Sequence, residues 1–458
     1  MTQITRALAR FTVDCRYEDL PAAVQAEGRR ALLNWVGCVL GGIEEGTAAC
    51  ALSTLAPFSG PGQATVIGFG RRTDIMLASF INSISSSVHS FNDTHFQTVA
   101  HPTSPVAAAV LAFAEHRPVS GKDAILAIVL GDELQCRIGM MLVEPPAECG
   151  VGLSMQGLAG TIGAAIAVGK LIGLNEEAMV RCIGIAVNSV CGLREAHASM
   201  GSAFTPGNAA RAGMMAALLA EGGYNISPAM LEGAKGFAVS YASNPVPEVA
   251  VRELGKHWEI LANAYKPYPS GFVIHPAVDA ALGLARTAGY DAAAIEKIVI
   301  AVNPLTIALC DRPHAANRRQ ATVSVQHWVA AALTFRRAGL QEGSDAAVQN
   351  PDVLALRKRI SLAPNEAIAR EACELTLHLR DGSTRSKLVS DCRGSIGRPM
   401  TDEELVDKYT AQAELLLTPA DIATLQERCR TIVDAPSFGD IAGWMDAAIT
   451  RGGKRQAF

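Results

Sequence analysis

The chain has 458 residues, 49% hydrophobic and 18% charged, so burial can offset chain entropy and disorder is excluded as its main state. Lys and Arg number 40 against 44 Asp and Glu, a formal charge of −4, which leaves no basic footprint for nucleic acid or an anionic membrane. At roughly 100–200 residues per domain, the length predicts two or three domains.

From the N-terminus, helical periodicity or Ala/Leu-rich runs predict helices over 21–41, 74–90, 104–116, 121–142, 157–173, 176–192, 206–222 and 227–234. Thr205-Pro206 reads as an N-cap followed by proline in the first helical position, and Gly222-Gly223 as the stop. Gly157, Gly160 and Gly163 recur at every third position, which predicts that a neighbouring helix sits close. The apolar run Leu158–Leu174 is shorter than a membrane span of about 20 residues and reads as a buried core helix.

The character changes near Tyr265. Glu296–Val302 is β-branched and strand-like, and Glu374–Arg380 and Thr384–Val389 alternate around Asp381-Gly382-Ser383, a hairpin signal. A helix is predicted over Val323–Arg337, and 338–352 is the most loop-like connector. Thr401-Asp402-Glu403-Glu404 forms a capping box ahead of a helix over Leu405–Leu416, and another covers Pro419–Val433. The fold class is therefore mainly α with an α+β segment at roughly 265–395.

The eleven cysteines are scattered, without a C-x-x-C pair, which disfavours a zinc ribbon or a thioredoxin-type motif. They read as small buried hydrophobes of a reducing compartment. Met1 to Asp14 has no signal-type apolar core, and the expected location is the cytoplasm.

Three polar clusters can carry chemistry. The densest runs from His89-Ser90-Phe91-Asn92-Asp93-Thr94-His95 to Val99-Ala100-His101-Pro102-Thr103-Ser104-Pro105, between two apolar helices. Histidine exchanges protons near neutral pH, whereas the bland reading makes His101 and Thr103 a helix cap. The second cluster is Tyr265-Lys266-Pro267-Tyr268-Pro269-Ser270-Gly271 with His275-Pro276, at the inferred domain junction where pockets form. Lys266 can clamp a carboxylate, act as a base, or simply be solvated. The third holds Asp311-Arg312, Arg318-Arg319, Ser324, Gln326 and His327; its arginines suit carboxylates, and His327 equally suits a core. No GxGxxG, Walker A, GxSxG or HExxH motif occurs, and His-x5-His on a proline-bearing loop is not a metal spacing, so no metal or cofactor is expected.

The runs HSFNDTHF and AHPTSPVAAAVLAFAE, GDELQCRIG at 131–139, SMQGLAGTIGAA, GNAARAGMMAALLA at 207–220, KPYPSGFVIHPAVDAAL at 266–282 and RGSIGRPMTDEELVDKY at 393–409 resemble the MmgE/PrpD family in order along nearly the whole chain. That family includes 2-methylcitrate dehydratase, iminodisuccinate epimerase and cis-aconitate decarboxylase. The resemblance implies a helical domain from both chain ends (1–264 and 396–458), a smaller α+β lid domain (265–395), a cleft between them and a homodimer. It also implies cofactor-free acid–base chemistry on a small di- or tricarboxylate.

Carried over by position, the loop histidine is His101, the Asp-Thr pair is Asp93-Thr94 with Asn92 in place of an acid, and the lysine of the K-x-Y-P motif is Lys266. The later histidine of that motif is His275, and a tyrosine used by the decarboxylases appears as His327. The histidine of the family's HPTG helix start is Ser154, next to Met155 and Gln156, and the lysine of its TKP segment falls near Ser202 or Ala203. The expected catalytic residues are His101, Lys266 and Asp93; the expected substrate contacts are Thr94, Thr103, Ser154, Gln156, His275, Arg319 and His327. Proton transfer at a carbon α to a carboxylate leads to a 2-methylcitrate dehydratase-like lyase as the first expectation. An epimerase-like or decarboxylase-like reaction, or a non-catalytic relative, is the alternative, and the discriminator is whether His101 and Lys266 face one cleft.

Overall fold

The computed structural model describes residues 3–453. Residues 1–2 and 454–458, at the ends of the expected helical domain, lie outside the described residues.

Two hydrophobic cores organise the chain. The larger joins residues between Ile4 and Ile260 to residues between Tyr409 and Ile449, so both chain ends build one helical body. The smaller joins residues between Ala264 and Cys392. Tyr265, Met400 and Leu405 form a small cluster where the chain crosses between the two.

The helical body packs Ala22–Gly42, Ile75–Ser87, Thr103–His116, Gly121–Val143, Met155–Ile172, Glu176–Val187 and Gly201–Glu221, with Asp402–Ala413 returning against Ala22–Gly42. The Thr103–His116, Gly121–Val143 and Met155–Ile172 helices are buried on nearly every side, which requires sequences apolar all round rather than striped. Met155–Ile172 is long and apolar enough to cross a membrane, but 83% of it is buried inside the chain.

Its three glycines do not form one groove. Residues three apart in a helix differ by about 60° in direction. A Cβ on Gly157 would strike the Cys191 carbonyl, one on Gly160 would press on Pro105, and one on Gly163 would meet the Gly131 carbonyl oxygen at 2.7 Å. Each glycine thus admits a different neighbour. Across from them, a Cβ on Gly213 would lie 2.7 Å from the Thr161 carbonyl oxygen, so the Gly201–Glu221 helix also approaches at backbone contact.

The α+β body is a four-stranded sheet in the order Thr384–Val389, Cys373–Leu379, Ile295–Val302, Ile360–Pro364. The hairpin pairs Thr384 with His378 and Val389 with Cys373, and turns through Gly382 at a φ of 83°. Ile295–Val302 pairs antiparallel with Cys373–Leu379 and parallel with Ile360–Pro364, a strand whose short, half-exposed sequence carries little periodic signal. The helices His275–Ala285 and Val325–Phe335 pack together, the former also against the hairpin.

Several boundaries differ from expectation. Residues 227–234 form turns, not a helix. The helix expected at Pro206 begins at Gly201 and takes Pro206 inside. The 176–192 helix stops at Val187, and the 338–352 connector contains a short helix, Asp345–Val348.

Candidate active site

Asp93–His95 and Asn263–Tyr265 pair as a two-stranded antiparallel ladder, with Asp93 opposite Tyr265 and His95 opposite Asn263. This ladder carries the first two polar clusters to one place. Lys266 follows one strand, and the loop ending in His101 follows the other. That loop is tight: His95 N–H donates to the Ala100 carbonyl and Val99 N–H to the His95 carbonyl, both at 2.9 Å. Val99 takes a φ of 57°, a strained conformation for a β-branched residue that costs about 1–3 kcal/mol.

His101 and Lys266 line one cavity of about 130 Å³ between the two bodies. His101 Nδ1–H donates to the Asp93 carbonyl oxygen at 2.8 Å, with Thr94 Oγ1 at 3.0 Å sharing that hydrogen. A carbonyl can only accept, so Nδ1 carries the proton and Nε2 keeps its lone pair. Burial, then the neighbouring Lys266 charge, pushes the imidazole pKa well below its usual range. His101 is therefore neutral, as a base must be.

Lys266 is fully buried. Its ammonium donates to Ser90 Oγ at 3.3 Å and Asn92 Oδ1 at 3.4 Å, and with an amide at 92 it has no carboxylate in contact among the described residues. Burial, then repulsion from Lys408, lowers its pKa to about 7. Lys408 is a second buried ammonium, itself lowered by burial to about 8. It donates to Asn34 Oδ1 at 2.6 Å and the Phe91 carbonyl at 2.7 Å, and so fixes the backbone between Ser90 and Asn92.

Asp93 acts differently from expectation. Its carboxylate is buried away from the cavity, where Oδ2 accepts from Asn263 Nδ2 at 2.7 Å and from the Thr103 hydroxyl. That hydroxyl also contacts Asp132 Oδ2 at 2.8 Å. One hydrogen cannot serve two ionised acids, and burial, then Asp93, holds the Asp132 pKa well up, so Asp132 is the protonated partner. Asp93, Thr94 and Thr103 thus position His101 from behind; none lines the cavity. His275 is also displaced from it, buried with its ring stacked on Phe272 at 4.7 Å. His327 lies in the α+β core beside Trp328, and its Nε2–H donates to the Glu342 carbonyl at 2.9 Å. Thr94, Thr103, His275 and His327, expected as substrate contacts, thus all lie outside the cavity lining.

Ser154, Gln156 and Arg319 do line the cavity, as do Ser202 and Ala203, so both positions that depart from the family pattern lie inside the site. Arg319 is neutralised by Glu45 at 2.7 Å. Sequence reasoning missed Ser90, Asn92, Arg194, His197 and Ser199. Ser90 and Asn92 sit within a cluster already singled out; Arg194 and His197 stand in an irregular segment with no motif, and only packing reveals them. The cavity is cationic: among the described residues Arg194 and Lys266 have no acidic partner, and Glu45, the one acid in the lining, belongs to Arg319. Three helices, starting at Thr103, Met155 and Gly201, begin at or beside its wall, where helix dipoles favour anions.

The chain is 25% identical over 445 residues to cis-aconitate decarboxylase of Aspergillus terreus, covering 90% of this chain and 89% of that protein. It is 26% identical over 377 residues to cis-aconitate decarboxylase of Mus musculus and 25% identical over 378 residues to that of Homo sapiens, in each case covering 78% of this chain and 76% of the relative. Residues 6–250 match the MmgE/PrpD N-terminal domain and residues 268–431 the MmgE/PrpD C-terminal domain; together they span most of the chain, which belongs to the MmgE/PrpD family.

Proposed function

We propose that this protein is a cofactor-independent lyase that acts on a small di- or tricarboxylate by proton transfer at a carbon α to a carboxylate. The observation that carries the reading is a neutral imidazole and an ammonium of lowered pKa facing one cationic cavity. A carbanion α to a carboxylate is reached only if its spreading charge is stabilised, and each preorganised donor or cation supplies about 3–4 kcal/mol. His101 Nε2 takes or returns the proton, and the Lys266 ammonium holds the carboxylate on which charge develops.

Three outcomes share that first arrangement. In decarboxylation the bond to CO2 breaks, its electron pair stays with the carbon skeleton, and a proton that His101 Nε2 has taken up from water replaces CO2. In dehydration the α-proton goes to the base and a β-hydroxyl leaves with a proton as water. In epimerisation the proton returns to the opposite face. Decarboxylation of cis-aconitate is the first reading, supported by the cis-aconitate decarboxylases among the relatives. The 2-methylcitrate dehydratase-like reaction and the iminodisuccinate epimerase-like reaction follow. A cytoplasmic homodimer belongs to the same reading.

The test is a panel of cis-aconitate, 2-methylcitrate, citrate isomers and iminodisuccinate followed by proton NMR in deuterium oxide. The expected result is product formation or α-proton exchange with at least one of these, lost in His101→Ala. Absence of both exchange and turnover with every one of them overturns the proposal.

A further inference from the structure

Arg194 lines the cavity with its guanidinium unpaired, since no acidic side chain bonds it among the described residues. An unpaired, partly buried charge costs stability, so its retention calls for an anion that arrives from outside. Gln156 lines the same cavity and is only 8% exposed, and its Nε2 is a buried donor without an acceptor among the described residues. Two unmet donor groups thus face one cavity.

The wall that carries them is built rather than incidental. Leu153 and Leu193 form an isolated antiparallel bridge; Arg194 N–H donates to the Gly152 carbonyl at 2.8 Å, and Ser154 N–H to the Gly192 carbonyl at 3.1 Å. These bonds pin the segment bearing Arg194 to the start of the Met155–Ile172 helix, which bears Gln156. Ser199 and Ser202, at the start of the 21-residue Gly201–Glu221 helix, line the same cavity. His197 joins them; burial, then Arg194, lowers its pKa to about 4, so it is a neutral donor or acceptor that adds no competing charge.

We propose that Arg194 and Gln156 form a second carboxylate subsite, distinct from the Lys266 position, and that this subsite makes the enzyme selective for substrates bearing at least two carboxylates. The inference rests on the function proposed above and adds where the non-reacting carboxylate is held. The guanidinium fork donates two parallel hydrogen bonds to a carboxylate, and the Gln156 amide donates a third. A monocarboxylate seated at Lys266 leaves Arg194 unmatched in a partly dry cavity, so the same group that attracts the right ligand disfavours the wrong one.

The test measures binding rather than turnover. Propane-1,2,3-tricarboxylate, pentanedioate and butanoate are titrated calorimetrically into the wild type, Arg194→Gln, Gln156→Leu and Lys266→Met. Arg194→Gln is expected to weaken the tricarboxylate and dicarboxylate by about 10–100-fold, the worth of hydrogen bonds to a charged group, and to leave butanoate unchanged. Lys266→Met is expected to weaken all three. Without ligand, Arg194→Gln is expected to melt at the same temperature as the wild type or higher, because an unpaired charge has been removed. Equal weakening of all three acids by Arg194→Gln, no weakening of any, or a fall in the ligand-free melting temperature overturns the subsite and leaves the proposed function standing. A wild type that binds no carboxylate and exchanges no proton overturns the function itself.

Discussion

For the proposed proton abstraction the imidazole of His101 is neutral and the ammonium of Lys266 charged, so the two make opposite demands on pH. With Lys266 near 7 and His101 well below its ordinary value, the competent form is lost as pH rises through about 7. kcat/KM should therefore fall above that pH, with the limb in kcat displaced upward because a bound carboxylate stabilises the ammonium. His101→Ala should lower kcat by about 10²–10⁴-fold, the range for a positioned acid or base. In Lys266→Met the alkaline limb should vanish along with most of the rate; a limb that persists assigns it to another group. Lys408→Met removes the like charge behind Lys266 and should move the limb to higher pH, whereas an unmoved limb would show that burial alone sets the Lys266 value. His101 and Lys266 were legible in the sequence because polar clusters between apolar helices stand out. The role of Asp93 was not. Its residue type suggested acid–base work, but its backbone carbonyl, a group every residue possesses, is what orients the base.

At the scale of elements, helices with strong periodicity or a legible cap were readable. Thr401 bonds the Glu404 N–H and Glu404 the Thr401 N–H, as the capping box predicted. Elements without such signals were not. The Ile360–Pro364 strand pairs along the edge that Ile295–Val302 offers, and the early helix start falls where the Ser199 hydroxyl accepts the Gly201 N–H at 3.1 Å. Glycine positions show the same dependence on neighbours. Gly213→Ala gains about 1 kcal/mol in helix propensity, yet its methyl would meet the Thr161 carbonyl oxygen and the Ala165 nitrogen, both at 2.7 Å. Forcing the two helices apart costs about 1–3 kcal/mol, so the net change should be a lower melting temperature. An unchanged or raised melting temperature would mean that the helices part without cost.

Five histidines are held neutral by burial. Burial lowers the pKa of His89 to about 3, of His197 and His327 to about 4, and of His101 and His275 well below the usual value. The unfolded chain protonates each near 6.5 while the folded chain does not, so this stability is present above about pH 6.5 and declines below it. Each group contributes a slope of up to about 1.4 kcal/mol per pH unit. Asp132, Glu133 and Glu27, whose pKa values burial raises, act in the opposite sense, but they are fewer. The urea midpoint should thus fall as pH goes from 7 to 5; a flat profile would place protonated histidines inside the fold.

The chain passes between its two bodies twice, near Tyr265 and again ahead of Met400, and the two passages touch. A Cβ on Gly394, at a φ of 84°, would strike the Tyr265 carbonyl and press on Pro267. At the cavity the two bodies are tied again by the ion pair of Arg319, from the α+β body, with Glu45, from the helical body, at 2.7 Å. The site is thus fastened twice: by the backbone seam next to Lys266 and by a charge pair at Arg319.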